Sequence, residues 1–442
     1  MHFNKSDCNY LDFNRSVVQE CDSYVYASTE TTIVQDFNLH CDSNLWKLTL
    51  IGTLNALGQL VGLPIAGYVS DSYGRLTTLI WTIVLAGLCG IIRSFSTSYT
   101  GFATFEFLDS MFGAGAYTCG YILGVELVGP KKRVLVGILI SCSYALGEVI
   151  TGVIAWQIQC WRSFLQIICS LSFLLVLYHW LAPESIRWML VKNEFTRTKQ
   201  TLRRVAKVNG KYLSEECLES LCTSGEIIKE KYPITDLLKS WTLIWRLANC
   251  CFCWITCVLV FYGLTINSVA LSKNSYLDFI LTSLVEIPAY ITTYAMLDKI
   301  GRRIGICSTL MLTSVCCGAF IFIPPELYWL KLLTYLLGKL TATSAFSICY
   351  IITSEIFPTC LRHSLMATCS MFGRIGSALA PQMPLLEKLW SPLPLTLFGT
   401  IAAISAIFSL YFPETTDVKL PDTIKEAEEI KKCKHSIYTL QS

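Results

Sequence analysis

The sequence predicts an all-α, polytopic membrane protein built from two pseudo-symmetric helical bundles. Three observations carry that prediction: an apolar, charge-poor composition, a series of long apolar runs, and charged motifs that recur in one order in both halves. Of the 442 residues, 53% are hydrophobic and 15% are charged, and the mean hydropathy is +0.50. Soluble domains of ordinary composition carry about 25% charge, so lipid is the expected solvent. The net charge of +3 gives no field aimed at nucleic acid or at an acidic partner. The opening segment is polar and lacks the apolar stretch of a cleavable signal.

A helix needs about 20 apolar residues to cross the hydrocarbon core. Suitable runs lie near Trp46–Ser70, Leu76–Ile92, Tyr99–Leu123, Val134–Ile158 and Ser163–Leu181. A polar stretch follows from Asn193 to about Lys239. Six more runs lie near Leu247–Val269, Leu277–Leu297, Ile304–Ile323, Leu330–Ile352, Ser364–Leu385 and Ser391–Phe412. The tail from Pro413 is polar, and its charged segment Asp422–Lys434 reads as helix. Arg75, Lys131, Lys132, Arg133, Lys299, Arg302, Arg303 and Arg362 all fall on one side if the spans alternate. The positive-inside rule makes that side cytoplasmic.

The chain then divides into five parts. These are an extracellular segment (1–45), a first transmembrane bundle (46–192), a cytoplasmic central loop (193–245), a second bundle (246–413) and a cytoplasmic tail (414–442). The extracellular segment holds the glycosylation sequons at Asn4 and Asn14 and the cysteines Cys8, Cys21 and Cys41, which fit a glycosylated, disulfide-bonded loop. Other cysteines, such as Cys250, Cys251, Cys253, Cys316 and Cys317, sit inside apolar runs with no histidine nearby. They read as small buried hydrophobes, and no metal or cofactor is expected.

The repeat is read from charged punctuation. Asp71 stands in Asp-Ser-Tyr-Gly-Arg and Asp298 in Asp-Lys-Ile-Gly-Arg, 227 residues apart. Glu126 and Arg133 match Glu355 and Arg362 at an offset of 229, and Pro183-Glu184-Ser185 matches Pro413-Glu414-Thr415 at 230. Parallel repeats with a midplane site between them are a carrier architecture. The offset also maps the first span of the second half onto residues near 20–42, which are polar. About eleven spans are therefore expected of a twelve-span plan, with the first helix absent.

The Asp-x-x-Gly-Arg loops, the first with Gly67 four residues before Asp71, resemble the signature loop of the major facilitator superfamily. Ser28-Thr29 with Asp36-Phe37-Asn38-Leu39-His40-Cys41-Asp42 and Gly124-Val125-Glu126-Leu127-Val128-Gly129-Pro130 resemble its organic cation/anion/carnitine transporter family. So do Pro183-Glu184-Ser185-Ile186-Arg187-Trp188, Phe261-Tyr262-Gly263-Leu264, Thr353-Ser354-Glu355-Ile356-Phe357-Pro358-Thr359 and Pro413-Glu414-Thr415-Thr416. Ser72 and Leu76 replace the basic residues usual in the first loop. The resemblance implies two six-helix bundles that rock about a central site.

Gating is expected of Asp71, Gly74, Arg75, Glu126, Arg133, Glu184 and Arg187, and of Asp298, Gly301, Arg302, Glu355, Arg362 and Glu414. Gly67 and Gly74 should allow close helix approach and a sharp turn. Asp71 should sit at the N-terminus of a helix from the other half, where the dipole favours negative charge. Arg75 should pair with Glu126 or Glu184. Ionisable residues inside spans need a cavity or a partner. Glu286, followed by the helix-breaking Pro288, is expected to hold a cation, and Arg374 and Lys339 an anion, unless Glu286 pairs internally with one of the two bases. Glu148 lies within an earlier span. Phe261, Tyr262, Tyr290, Phe346, Tyr350 and Phe372 offer ring faces to a cation. Glu106 and Asp109 should pair structurally with Arg93.

No metalloprotease pattern and no Gly-x4-Gly-Lys phosphate loop occurs, which disfavours an enzyme and an ATP-driven pump. The expected function is transport of a small organic ion (cation, anion or carnitine-like zwitterion) across the plasma membrane by alternating access. Its partners are then that ion, the lipid bilayer and a coupling ion or counter-substrate. The alternative is a transport-inactive scaffold or receptor with a transporter fold.

Overall fold

The computed structural model describes residues 30–40, 42–129, 132–211, 213–216, 218, 240–269, 271, 274–324, 326–358, 361–416, 421 and 424–429. Asn4, Asn14, Cys8, Cys21 and Cys41 lie outside the described residues, as do Lys131 and the side chain of Asp298.

In the first half the helices are α1 (Leu45–Tyr73), α2 (Arg75–Ser94), α3 (Tyr99–Gly113), α4 (Gly115–Glu126), α5 (Arg133–Ile158) and α6 (Trp161–Leu171). The last of these runs on through a 3-10 turn to Leu181. Helix α7 (Phe195–Val208) belongs to the central loop. The second half holds α8 (Trp241–Ser268), α9 (Ser275–Leu284), α10 (Glu286–Ile300), α11 (Arg302–Phe322), α12 (Tyr328–Ile356), α13 (Arg362–Leu379) and α14 (Leu393–Ser409). Among the described residues, eight helical segments are long and apolar enough to cross a membrane. The remaining three expected spans, α3 with α4, α13 and α14, are helical too.

Local chemistry sets the helix ends. Ser98, Ser240 and Asn274 accept the N–H groups of Gly101, Leu243 and Leu277 as N-caps of α3, α8 and α9, satisfying donors the helix cannot reach. The α9–α10 span breaks at Val285, three residues before Pro288. Proline lacks an N–H, and its ring crowds the carbonyl one turn back. That break places Glu286 at the start of α10. The segment ahead of α1 is polar as expected: it holds a four-residue helix, Ile33–Asp36, and a 3-10 turn, Asp42–Asn44. The tail helix is Ile424–Glu429, docked on α8 where Arg246 donates to the Ala427 carbonyl. The rest of the expected 422–434 helix lies outside the described residues.

Within the first half α1 packs on α3, and α2 packs on α3, α4 and α6. Gly58 and Gly62 make the α1–α3 approach possible. A Cβ on either would strike Ser110 or the Met111 carbonyl. Gly67, expected at a close approach, has nothing near it. The tight contact lies one to two turns earlier in α1, where α3 crosses. In the second half α8 packs on α13 and α12, and α11 on α12 and α14. Most of the buried core is here, around Trp254, Ile348, Phe357 and Phe398. The thiols of Cys253, Cys257 and Cys349 meet inside it, packed like the small hydrophobes the sequence implies.

The halves meet where α1 lies against α13 and α5 against α9 and α10. Thr53 Oγ1 donates to the Ala378 carbonyl at 3.1 Å, and Gln382 Nε2 donates to Thr53 Oγ1 at 2.6 Å. Gly152 sits against Phe279 and Ile280. These contacts lie toward the ends of the helices far from the Gly-Arg loops.

Candidate functional site

Two regions gather the expected site residues: the Gly-Arg loops at one end and a polar cluster at mid-span.

At the first loop, Gly74 has φ +108°, a conformation that L side chains rarely adopt. The turn aims the Arg75 and Leu76 N–H groups at Glu184, whose Oε1 accepts them at 2.9 and 3.1 Å. A carboxylate here satisfies orphan donors at the N-terminus of α2 and meets the positive end of its dipole. Ser185 Oγ bonds Glu126, and Arg75 Nε lies 3.8 Å from the same carboxylate. The second loop repeats this. Gly301 has φ +89°, Glu414 accepts the Arg302 and Arg303 N–H groups at 2.9 and 3.2 Å, Thr415 Oγ1 bonds Glu355, and Arg302 Nε lies 3.4 Å from Glu355.

Asp71 departs from its expected place. It is not at a helix N-terminus of the other half, and the acidic group that caps α2 is Glu184 of its own half. The Asp71 side chain is 76% exposed and pairs with Arg75 at 2.8 Å, one turn along. Trp188 Nε1 donates to its carbonyl and seats the helix Ile186–Val191 beneath the loop. Arg187 is exposed. Arg133 makes no ion pair among the described residues. Arg362 turns back onto the Phe357 carbonyl at 3.4 Å. Burial works to raise the Glu414 carboxyl, but the Thr416 hydroxyl and the N–H groups of Arg302, Thr416 and Arg303 outweigh it and hold it below the ordinary value.

At mid-span, Glu286 and Lys339 form an ion pair at 2.9 Å with both side chains fully buried. Lys339 Nζ also donates to Thr265 Oγ1 at 2.6 Å and lies 3.4 Å from the centre of the Phe261 ring. The Tyr290 hydroxyl donates to Glu286 at 3.2 Å. This is the internal pairing weighed against substrate contact for Glu286. Phe261 is itself buried, packed on Tyr262 and Phe346, and Phe346 joins Tyr350 and Trp254. Phe372 is 45% exposed and makes none of these ring contacts among the described residues. Arg374 Nη1 donates to Gln59 Oε1 at 2.6 Å, from α13 to α1, and Tyr262 lies beside its guanidinium.

Several groups escaped the sequence reading. Gln59 donates to Asn55 at 2.9 Å, and Asn55 to Glu106 at 2.7 Å. Glu106 and Asp109 both pair with Arg93, as expected, so an unbroken polar chain runs from Arg93 to Arg374. The signal was a pair of amides four apart in an apolar span. Tyr117 stacks on Tyr121 and meets the Tyr144 ring of α5 edge-on, and Tyr117 and Tyr121 also stand four apart. Glu148, already noted in its span from the sequence, lies near Glu286 and Lys339 with the Tyr144 and Ser283 hydroxyls beside its carboxyl.

The profile of the Major Facilitator Superfamily matches residues 17–381. Solute carrier family 22 member 3 of Mus musculus is 34% identical over 409 residues, covering 92% of this chain and 73% of its own. Solute carrier family 22 member 2 of Homo sapiens is 32% identical, covering 96% and 77%. The organic cation transporter protein of Drosophila melanogaster is 31% identical, covering 93% and 77%. The inward-open xylose transporter XylE from E. coli superposes with a TM-score of 0.68 at 15% identity, covering 91% of this chain and 93% of its own. That likeness shows the shared fold. With the repeated Gly-Arg loops and the helical halves in place, the chain is a membrane-spanning transporter, not an enzyme, and belongs to the major facilitator superfamily and, within it, to solute carrier family 22.

Proposed function

We propose that this protein carries small organic ions across the plasma membrane by alternating access. The observation that supports the reading most is the distribution of contacts between the halves. Polar bonds and close helix contacts join them toward one end, while the paired charged loops at the other end bond mainly within their own half. A ligand at the mid-span cluster would then be reached from the charged-loop end. The positive-inside reading places that end in the cytoplasm, with the segment before α1 outside and the C-terminus inside. Opening the Thr53–Ala378 and Gln382–Thr53 contacts while drawing the loops together would switch access. Glu184 and Glu414 keep each loop rigid during the exchange, and the exposed Asp71 would meet the opposite half. Substrate binding, together with a coupling ion or counter-substrate, sets the direction.

The test is uptake of a labelled panel of organic cations, anions and zwitterions by cells that display the protein. Saturable uptake above untransfected cells is expected. Surface display with no uptake would return the scaffold reading, and currents beyond carrier turnover would point to a channel. Removing the closed end's polar bonds with Thr53→Val and Gln382→Leu should raise labelling of Glu148→Cys by an impermeant thiol reagent applied from outside.

A further inference from the structure

Three thiols inside the second half point at one another. Cys253 and Cys257 stand one turn apart on α8, a spacing that puts both on one helix face, and Cys349 meets them from α12. The Cys253 and Cys257 sulfurs are 4.0 Å apart, the Cys253 and Cys349 sulfurs 3.8 Å, and all three lie within 4.8 Å of one another. Burial as a small hydrophobe explains why cysteine is tolerated here, as it does at Cys316 and Cys317. It places no demand on where the sulfurs point, and three of them converge. A metal ion held in one plane by three sulfurs at about 2.3 Å needs edges of about 4.0 Å. The edges of 3.8 and 4.0 Å match that triangle. The Ser405 hydroxyl of α14 lies beside the Cys253 sulfur, where it can donate a hydrogen bond to a thiolate and fix its direction.

We propose that Cys253, Cys257 and Cys349 form a three-coordinate site for a soft monovalent metal ion, the cuprous ion, which ties α8 to α12. Thiolate donors select soft ions. Zinc completes a tetrahedron, and among the described residues no fourth His, Cys, Asp or Glu ligand stands with these three. The three residues are at most 2% exposed, so solvent does not reach them to fill the fourth place. A cuprous ion is satisfied by three sulfurs. Each cysteine that binds as thiolate gives up one proton, and no electron moves. One proton lost leaves the complex neutral, which the apolar surroundings favour over further losses. The consequence is mechanical. Thr265 of α8 and Lys339 of α12 also meet, at 2.6 Å, so the ion would brace the same helix pair that holds the buried lysine. The site lies within one half and does not depend on the transport reading.

The experiment supplies copper by two routes: as a salt in the growth medium while the chain folds, and as cuprous ion to the purified full chain under argon, with a copper chelator as competitor. Wild type should retain one ion per chain. X-ray absorption should show sulfur neighbours only, at about 2.3 Å, and the melting temperature should rise with the ion. Cys253→Ser, Cys257→Ser and Cys349→Ser should each abolish both retention and the rise. Ser405→Ala keeps all three sulfurs and should weaken binding by about tenfold. The double variant Cys251→Ser with Cys369→Ser removes the neighbouring thiol pair, 3.8 Å apart, and should bind as wild type does. If serine unfolds the chain at these dry positions, Cys349→Ala keeps the place apolar, and it should fold and lose the ion. The proposal is overturned if wild type retains no copper by either route, if the single variants retain it, or if Cys251 and Cys369 prove necessary. Nitrogen or oxygen neighbours in the absorption spectrum, or zinc retained in preference to copper, would overturn the three-sulfur cuprous assignment.

Discussion

The two halves solve one problem identically and another differently. At the Gly-Arg loops, each uses a glycine at positive φ, a glutamate capping the next helix, and a hydroxyl bonded to a second glutamate, at matching distances. At mid-span the copies have diverged. The second half closes a dry ion pair, Glu286–Lys339. The first half keeps a less completely buried triad, Arg93 with Glu106 and Asp109, in which Asp109 remains 25% exposed. Packing follows the same division: 67% of the most apolar window of α8 is buried, and none of the Trp161–Leu181 window is. The lesson is that loop geometry was retained where it shapes the backbone, while side chains facing the midplane were free to specialise.

The sharpest way to break the comparison is to unbalance the dry pair. Lys339→Met leaves the Glu286 carboxylate buried without its cation and should destabilise the protein by about 3–5 kcal/mol. Adding Glu286→Gln should recover most of that, since neutral groups tolerate burial. Arg93→Met in the less buried triad should do less harm. Melting temperatures of the purified variants decide it. Equal losses for Lys339→Met and Arg93→Met would mean that burial is not what separates the halves.

The loop comparison sharpens next. A Cβ at Gly301 would stand 2.8 Å from Glu414 Oε2, and one at Gly74 would strike Glu184. Gly74→Ala and Gly301→Ala should each lose about 1–3 kcal/mol through backbone strain, with the cap disturbed besides. Gly67→Ala, in open space, should fall within about 0.5 kcal/mol of wild type. Surface display of the three variants measures this. A harmless Gly74→Ala beside a damaging Gly301→Ala would show that the copies are alike in shape but not in burden.

These loops were legible from sequence because their chemistry is local. Asp-x-x-Gly-Arg is one turn of chain, and a glycine before a helix start predicts its own φ. The apolar runs were legible for the same reason, since crossing lipid is a property of one segment at a time. What the sequence could not supply was pairing between segments. Asp71 was expected at a helix N-terminus of the other half, whereas the acidic cap of α2 is Glu184, and only the fold brings residue 184 under residue 75. Glu286 was read with two possible bases beside it, and only the meeting of α10 and α12 made Lys339 its partner. Glu148 looked like one more in-span charge, and its neighbours belong to α9, α10 and α8. Register between helices of different halves leaves no periodic trace in either helix.

A smaller effect separates the caps. Glu184→Gln and Glu414→Gln should each lose about 0.5–2 kcal/mol, with Glu414→Gln also lowering the pH sensitivity of stability. The sign follows from the direction of the shift. The Glu414 carboxyl is held below its ordinary value of 4.5 in the folded protein. Its contribution is therefore complete above that value and fades as the pH falls through the lower, folded one. Acid unfolding of wild type and Glu414→Gln should converge below that range. Parallel curves down to the lowest pH would remove Glu414 from the account.

The smallest expected effect is at Asp71, and it bears on gating. Its pair with Arg75 is solvent-exposed on the Asp71 side, so Asp71→Asn should change stability by less than about 1 kcal/mol. A residue kept only to anchor its own loop would then be silent in transport as well. If Asp71 instead meets the second half when the loops close, Asp71→Asn should bias the protein toward the state described above. The rate of substrate exchange would fall while melting temperature stayed put. Loss of stability in step with loss of exchange would make Asp71 an anchor and leave the closing contact to some other residue of the loop.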